Sequence, residues 1–213
     1  MKAFARFSLF IHVTGLAVCS GTQLKTYYYF GYGSNVLVST MKALRQIQPL
    51  NATAAILTDY ELRFDGSKDN RIEPSAAFVT PSKNKQVHGV LYTLTSNDFA
   101  KVGRTEGVPF AYRWQKCKVH TYIGNGEDAG IRSLADTPVN AFTLVSANLG
   151  EENIPPSSSY LGLIKEGARR WKFDRKYQEE LQNIPEANNL IIPQGLSGTL
   201  LSVAERITGT QRE

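Results

Sequence analysis

The order of element signals along the chain predicts an α+β domain. Strand-forming stretches fill the region before Pro155-Pro156, and helical periodicity dominates after it. The regular strand–helix alternation of a parallel sheet is missing, which separates this pattern from a βαβ architecture. A length of 213 residues with 42% hydrophobic residues suits one buried core, and no internal repeat or dividing linker breaks it.

Tyr27 to Tyr32 is aromatic and β-prone and runs into Gly33-Ser34-Asn35, a strand entering a tight turn. Leu37, Met41 and Leu44 recur at helical spacing and predict a short helix to about Gln48. Strand signals follow at 53–58, 60–64, 76–80 and 87–94, with the polar stretch Gly66 to Pro74 as a loop. Ser96 offers a helix cap before a short helical segment that ends at Glu106-Gly107-Val108-Pro109. A long strand is expected from Tyr112 to Ile123, then a Gly-rich turn and a strand at Val139 to Ser146.

Beyond Pro155-Pro156, Leu161, Ile164, Ala168 and Trp171 form one apolar stripe, and Phe173, Tyr177, Leu181 and Ile184 form another. Both have the spacing of helices packed on a core. A further helix is expected around Leu200, Val203, Ala204 and Ile207. The organisation reads as a leader at 1–20, a domain at 27–184 and a C-terminal extension at 185–213.

The leader reading rests on Lys2 and Arg6, the apolar run Phe7 to Val18, and the small residues Ser20 and Gly21. That run is shorter than the roughly 20 residues that cross a bilayer, so no membrane span is expected. A secretory signal, and with it the secretory pathway or the outside of the cell, is favoured over a cytoplasmic location. An organellar transit peptide and a start upstream of the true one remain alternatives. Val18 before Cys19 is too bulky for a bacterial lipid-attachment box. Asn51-Ala52-Thr53 is a glycosylation sequon, with meaning only in an exported chain.

Without Lys2 and Arg6 the net charge falls from +5 to +3, and no basic run or recognition module points to nucleic acid. The basic residues Lys165, Arg169, Arg170, Lys172, Arg175 and Lys176 read as a solvated helix face. With Cys19 in the leader, Cys117 stands alone and reads as a small buried hydrophobe. His12, His88 and His120 have no metal-ligand spacing, and Cys-x-x-Cys is absent, so no metal site is expected. Ser34 lacks the hydrolase elbow, and the phosphate-loop pattern is absent.

Two features remain that bear on chemistry. Tyr32-Gly33-Ser34-Asn35 is a turn whose backbone N–H groups suit an anion where no Cβ stands in the way, although such a turn often serves the fold alone. Glu106, between a helix and a strand, suits proton transfer at the mouth of a pocket; its alternative is an exposed residue at a helix end.

Taken together, four segments resemble the γ-glutamylcyclotransferase family, in that family's order. They are Tyr29-Phe30-Gly31-Tyr32-Gly33-Ser34-Asn35, then Val87-His88-Gly89-Val90-Leu91-Tyr92, then Glu106-Gly107-Val108-Pro109 with Tyr112, and last Pro155-Pro156-Ser157-Ser158-Ser159-Tyr160 leading to Ile164–Ala168 and Tyr177. The resemblance implies a small mixed β-barrel-like core with flanking helices, in a monomer or homodimer. It implies cyclisation of γ-glutamyl dipeptides to 5-oxoproline, a lyase reaction allied to glutathione metabolism that needs no cofactor.

It also implies Glu106 as proton acceptor and donor, and Tyr29, Phe30, Gly31, Tyr32, Gly33, Ser34 and Tyr160 as substrate-binding residues. The family often has Leu-Asp where Val102-Gly103 stands and Trp where His88 stands, which touches substrate preference; Asn35 leans towards the dipeptide branch. A rival reading is a non-catalytic module that keeps the pocket for small amino-acid-like ligands, against which Glu106 argues; another is an enzyme that removes a γ-glutamyl group from a specialised metabolite, with the same chemistry and a different outer wall of the pocket.

Overall fold

Aromatic and β-branched residues crowd the strands of this computed structural model, which describes residues 24–66, 73–123, 133–148, 150 and 153–187. The leader reading and the expected helix around Leu200 to Ile207 lie outside the described residues. Five strands are present among them: β1 (Thr26–Gly31), β2 (Asn51–Gly66), β3 (Ser75–Thr95), β4 (Tyr112–Thr121) and β5 (Val139–Ser146). They close into a barrel in the order β1-β3-β2-β4-β5, and β5 returns to β1 through a parallel pairing of Tyr29 with Phe142. The fold is α+β, as the order of elements predicts.

The four strand signals between 53 and 94 merge into two long strands. β2 and β3 pair antiparallel from Asn51↔Thr93 to Gly66↔Ser75, with a register shift between Thr58 and Tyr60. Asp59 and Asn84 take positive φ there, and Asp59 accepts from the Asn84 N–H at 3.0 Å. The polar residues at 81–86 suggest a break between strands, but the bulge absorbs them without ending the ladder.

Between β1 and β2 the predicted single helix is a 3₁₀ turn (Ser34–Val36) followed by α1 (Val38–Ala43). Helix α2 (Ser96–Thr105) follows β3 without a break. Its cap is Thr95 rather than Ser96, since the Thr95 hydroxyl accepts from the Asp98 N–H at 3.1 Å. The two late helices are α3 (Ser158–Arg170) and α4 (Arg175–Gln182). Leu161, Ile164 and Ala168 on α3, and Phe173, Tyr177 and Leu181 around α4, are buried as their spacing requires. Ser157 caps α3 by accepting from the Tyr160 N–H at 3.0 Å, which fixes where Tyr160 leaves the helix.

Arg169, Arg170, Arg175 and Lys176 are exposed, with Arg169 and Arg170 paired to Glu166, whereas Lys165 is half-buried and paired to Glu186. Cys117 is half-buried, and burial pushes its thiol up to about 12, so it stays protonated and a poor nucleophile. His88 faces inward, stacked on Tyr177 with ring centroids 4.2 Å apart and sharing a hydrogen bond with the Tyr122 hydroxyl. Among the described residues no helix is long and apolar enough to cross a membrane.

Candidate active site

Gly31 ends β1, and the chain turns at once so that residues 32–35 cross the end of the barrel. A small polar pocket opens there, lined by Tyr29, Tyr32, Gly33, Ser34, Asn35, Ala77, Glu106, Tyr112, Leu144 and Tyr160. Of the residues expected to bind substrate, Tyr29, Tyr32, Gly33, Ser34 and Tyr160 therefore meet in one place with Glu106. Phe30 and Gly31 do not. The Phe30 ring alternates away from Tyr29 into the core with no exposure, and Gly31 packs against the Asn35 side chain.

Gly33 makes the loop's close approach possible: an ideal Cβ there would lie 2.9 Å from Tyr160 Oη and 3.3 Å from Ala77 Cβ. The constraint at this position is therefore one of space.

Glu106 caps the C-terminal end of α2, with its N–H donating to the Val102 carbonyl at 3.0 Å. Gly107 follows with φ +72°, turning the chain away and leaving the carboxylate at the pocket. The side chain is only 15% exposed, which decides between the two readings of Glu106 in favour of a pocket residue. Its Oε1 accepts from Asn35 Nδ2 at 2.7 Å and pairs with Arg45 Nη2 at 2.6 Å. Asn35 Nδ2 also donates to Tyr29 Oη at 2.8 Å, and Asn35 Oδ1 accepts from Arg45 Nε at 2.8 Å. The amide orientation follows, because the reverse would set its oxygen against a carboxylate.

The four pocket tyrosines divide by what their hydroxyl protons do. Tyr32 donates to the Leu144 carbonyl at 2.6 Å and Tyr112 to the Ala77 carbonyl at 3.0 Å, so both are committed to the scaffold. Tyr29 accepts from Asn35, and Tyr160 accepts from the Ala77 N–H at 3.1 Å and from the Ser34 backbone. Neither of these two hydroxyl protons meets an acceptor among the described residues, so both can donate to a ligand. Burial, reinforced by the Glu106 charge, raises Tyr29; burial pushes Tyr160 up to about 12 against the hydrogen bond from Ala77. Both are neutral donors at ordinary pH.

Sequence reasoning placed Tyr112 only by resemblance and left Arg45 and Ala77 out. Arg45 is a single cation after a short helix, which no period or motif marks. Among the described residues no group of acidic, His and Cys side chains is arranged to hold a metal ion.

A profile of the family described as "Gamma-glutamyl cyclotransferase, AIG2-like" matches residues 29–160, which span the loop, Glu106 and Tyr160. A mouse protein named gamma-glutamylcyclotransferase is 28% identical over 169 residues, covering 78% of this chain and 82% of that one. The Aspergillus fumigatus protein named gamma-glutamyl cyclotransferase gliK is 27% identical over 180 residues, covering 74% of this chain and 62% of its own length.

A solved structure named gamma-glutamyl cyclotransferase superposes with a TM-score of 0.65 at 22% identity, over 84% of this chain and 99% of that one. An uncharacterised human protein does so with a TM-score of 0.65 at 24% identity, over 83% and 98%. These two likenesses concern the fold. With the profile spanning most of the chain and the relatives agreeing with it, the chain belongs to the γ-glutamylcyclotransferase family.

Proposed function

We propose that the protein converts γ-glutamyl amino acids to 5-oxoproline and a free amino acid, with Glu106 moving the protons. The observation that carries this reading is a carboxylate with one oxygen anchored and the other without a hydrogen-bond partner among the described residues, set in a pocket with two spare hydroxyl donors.

The substrate supplies its own nucleophile. Glu106 takes a proton from the α-ammonium, and the freed amine attacks the γ-carbonyl to close a five-membered ring. The tetrahedral centre then collapses as the C–N bond to the leaving amino acid breaks. The two protons lost by the α-nitrogen end on the departing nitrogen, relayed by Glu106, so no water is consumed. Tyr29 and Tyr160 are suited to donate to the α-carboxylate or to the developing oxyanion, beside the Gly33–Ser34 backbone. The pocket's main contribution is to hold the substrate curled, and well-oriented intramolecular reactions gain on the order of 7–11 kcal/mol.

Incubation of purified protein with γ-glutamyl dipeptides, γ-glutamylamines and glutathione, with 5-oxoproline measured, tests the activity and ranks the substrates. Turnover of the dipeptides is the expected result. Folded protein that binds these compounds without releasing 5-oxoproline would instead establish a binding module. A preference for bulkier γ-glutamyl conjugates would assign the same chemistry to a specialised metabolite.

A further inference from the structure

The anchoring of Glu106 is one-sided. Both of its close partners, Arg45 Nη2 at 2.6 Å and Asn35 Nδ2 at 2.7 Å, engage Oε1. Arg45 is also bound to Asn35, through Nε to Oδ1 at 2.8 Å, so the three side chains close a ring of two hydrogen bonds and one ion pair. Asn35 and Glu106 line the pocket, whereas Arg45 is absent from its wall and lies behind the carboxylate.

The chain holds Arg45 in place from both sides. It follows the end of α1, Gln46 takes φ 51°, and Ile47 is buried at 1% exposure. Lys101 of α2 donates to the Gln46 carbonyl at 2.8 Å, which ties the Arg45 segment to the helix that ends at Glu106. That helix end presents carbonyl oxygens, a poor setting for an anion, and the guanidinium offsets it. Only a planar fork reaches both partners: Nε serves the amide while Nη2 serves the carboxylate.

We infer that Arg45 is a positioning residue, which clamps Oε1 of Glu106 through this ring so that Oε2 is the oxygen that carries the proton to and from the substrate. The inference rests on the cyclisation proposed above and adds to it a residue that never touches the substrate.

The test is steady-state turnover of γ-glutamyl-alanine by wild type, Arg45→Ala and Arg45→Lys, with methylguanidinium added at millimolar concentration. In Arg45→Ala a loosened carboxylate should lower kcat about a hundredfold, the scale of a misplaced catalytic group. KM should stay within about twofold of wild type, since the substrate contacts are untouched. Methylguanidinium should restore part of kcat in Arg45→Ala and none in Glu106→Gln. Arg45→Lys keeps the charge and most of the stem, so it guards against a failure to fold; its single nitrogen cannot bridge both partners, and kcat should still fall about tenfold.

Wild-type kcat in either variant would overturn the inference. So would a rise in KM that matches the fall in kcat with no rescue, which would mean a collapsed pocket. If wild type releases no 5-oxoproline, the proposed function fails and takes this role with it. If wild type is active and Glu106→Gln is dead while Arg45→Ala is unimpaired, only the role of Arg45 fails.

Discussion

Two regions of the fold each bury a titratable side chain among tyrosines, and they treat it in opposite ways. Glu106 meets a guanidinium and a carboxamide, and its surroundings are polar. His88 meets the rings of Tyr177, Phe173 and Tyr122, and burial lowers its pKa to about 3. One environment supplies a cation and an amide donor to its carboxyl group; the other surrounds its imidazole with rings and disfavours the charged form by burial. A carboxyl group set at a pocket is placed to exchange protons with a ligand, whereas an imidazole held neutral in a stack is equipped to fill space.

The strongest way to break this contrast is Glu106→Gln, which keeps the shape and the contacts but cannot take a proton. Turnover should drop by about a hundredfold to ten-thousandfold, with the thermal midpoint close to wild type. Activity within about threefold of wild type would mean that the two buried groups do not differ in function.

Next is Gly33→Val, whose Cβ would meet the Tyr160 hydroxyl and Ala77. Substrate binding measured by calorimetry should weaken at least about tenfold while circular dichroism stays native, one pKa unit's worth of energy being enough for that factor. Unchanged affinity would remove the loop from the site.

Tyr160→Phe should cost about tenfold in kcat/KM through the loss of one donor, and Tyr32→Phe should leave substrate binding nearly unchanged, because its proton already serves the Leu144 carbonyl. Equal losses in the two variants would reject the division of the tyrosines.

The smallest effect is at His88. The folded pKa of His88, about 3, lies below its ordinary value of 6.5, so the unfolded chain binds the extra proton between those values. Its contribution to stability is therefore complete above about pH 6.5 and is lost as pH falls towards 3. Urea midpoints measured from pH 7.5 to 4.5 should fall less steeply in His88→Phe than in wild type. Parallel curves would show that the ring is not held neutral.

Much of this architecture was legible because periodicity survives folding. The stripes Leu161-Ile164-Ala168 and Phe173-Tyr177-Leu181 announce their helices because a single face packs on the barrel. The bulge at Thr58–Tyr60 was not legible, since a polar interruption that is absorbed inside a ladder looks the same as one that ends it. At the site, residues of the glycine turn and Glu106 carried short motifs. Arg45 did not, because its partners Asn35 and Glu106 are 10 and 61 positions away and nothing in local spacing reports that meeting. Phe30 leaves the pocket through the alternation of β1, and Gly31, with no side chain, is covered by Asn35, so a motif's length overstates its contact surface.

Barrel closure has a consequence for how the site comes into being. The pocket draws on residues from Tyr29 to Tyr160, and Leu144 of β5 joins it when that strand returns to pair with β1. Such distant pairings form late, because the entropy of closing long loops must be met before the contacts reward it. No fragment that lacks β5 can assemble the pocket, so recovery of catalysis during refolding should track the last closure event, lagging the earlier gain of strand signal from the local β2–β3 hairpin.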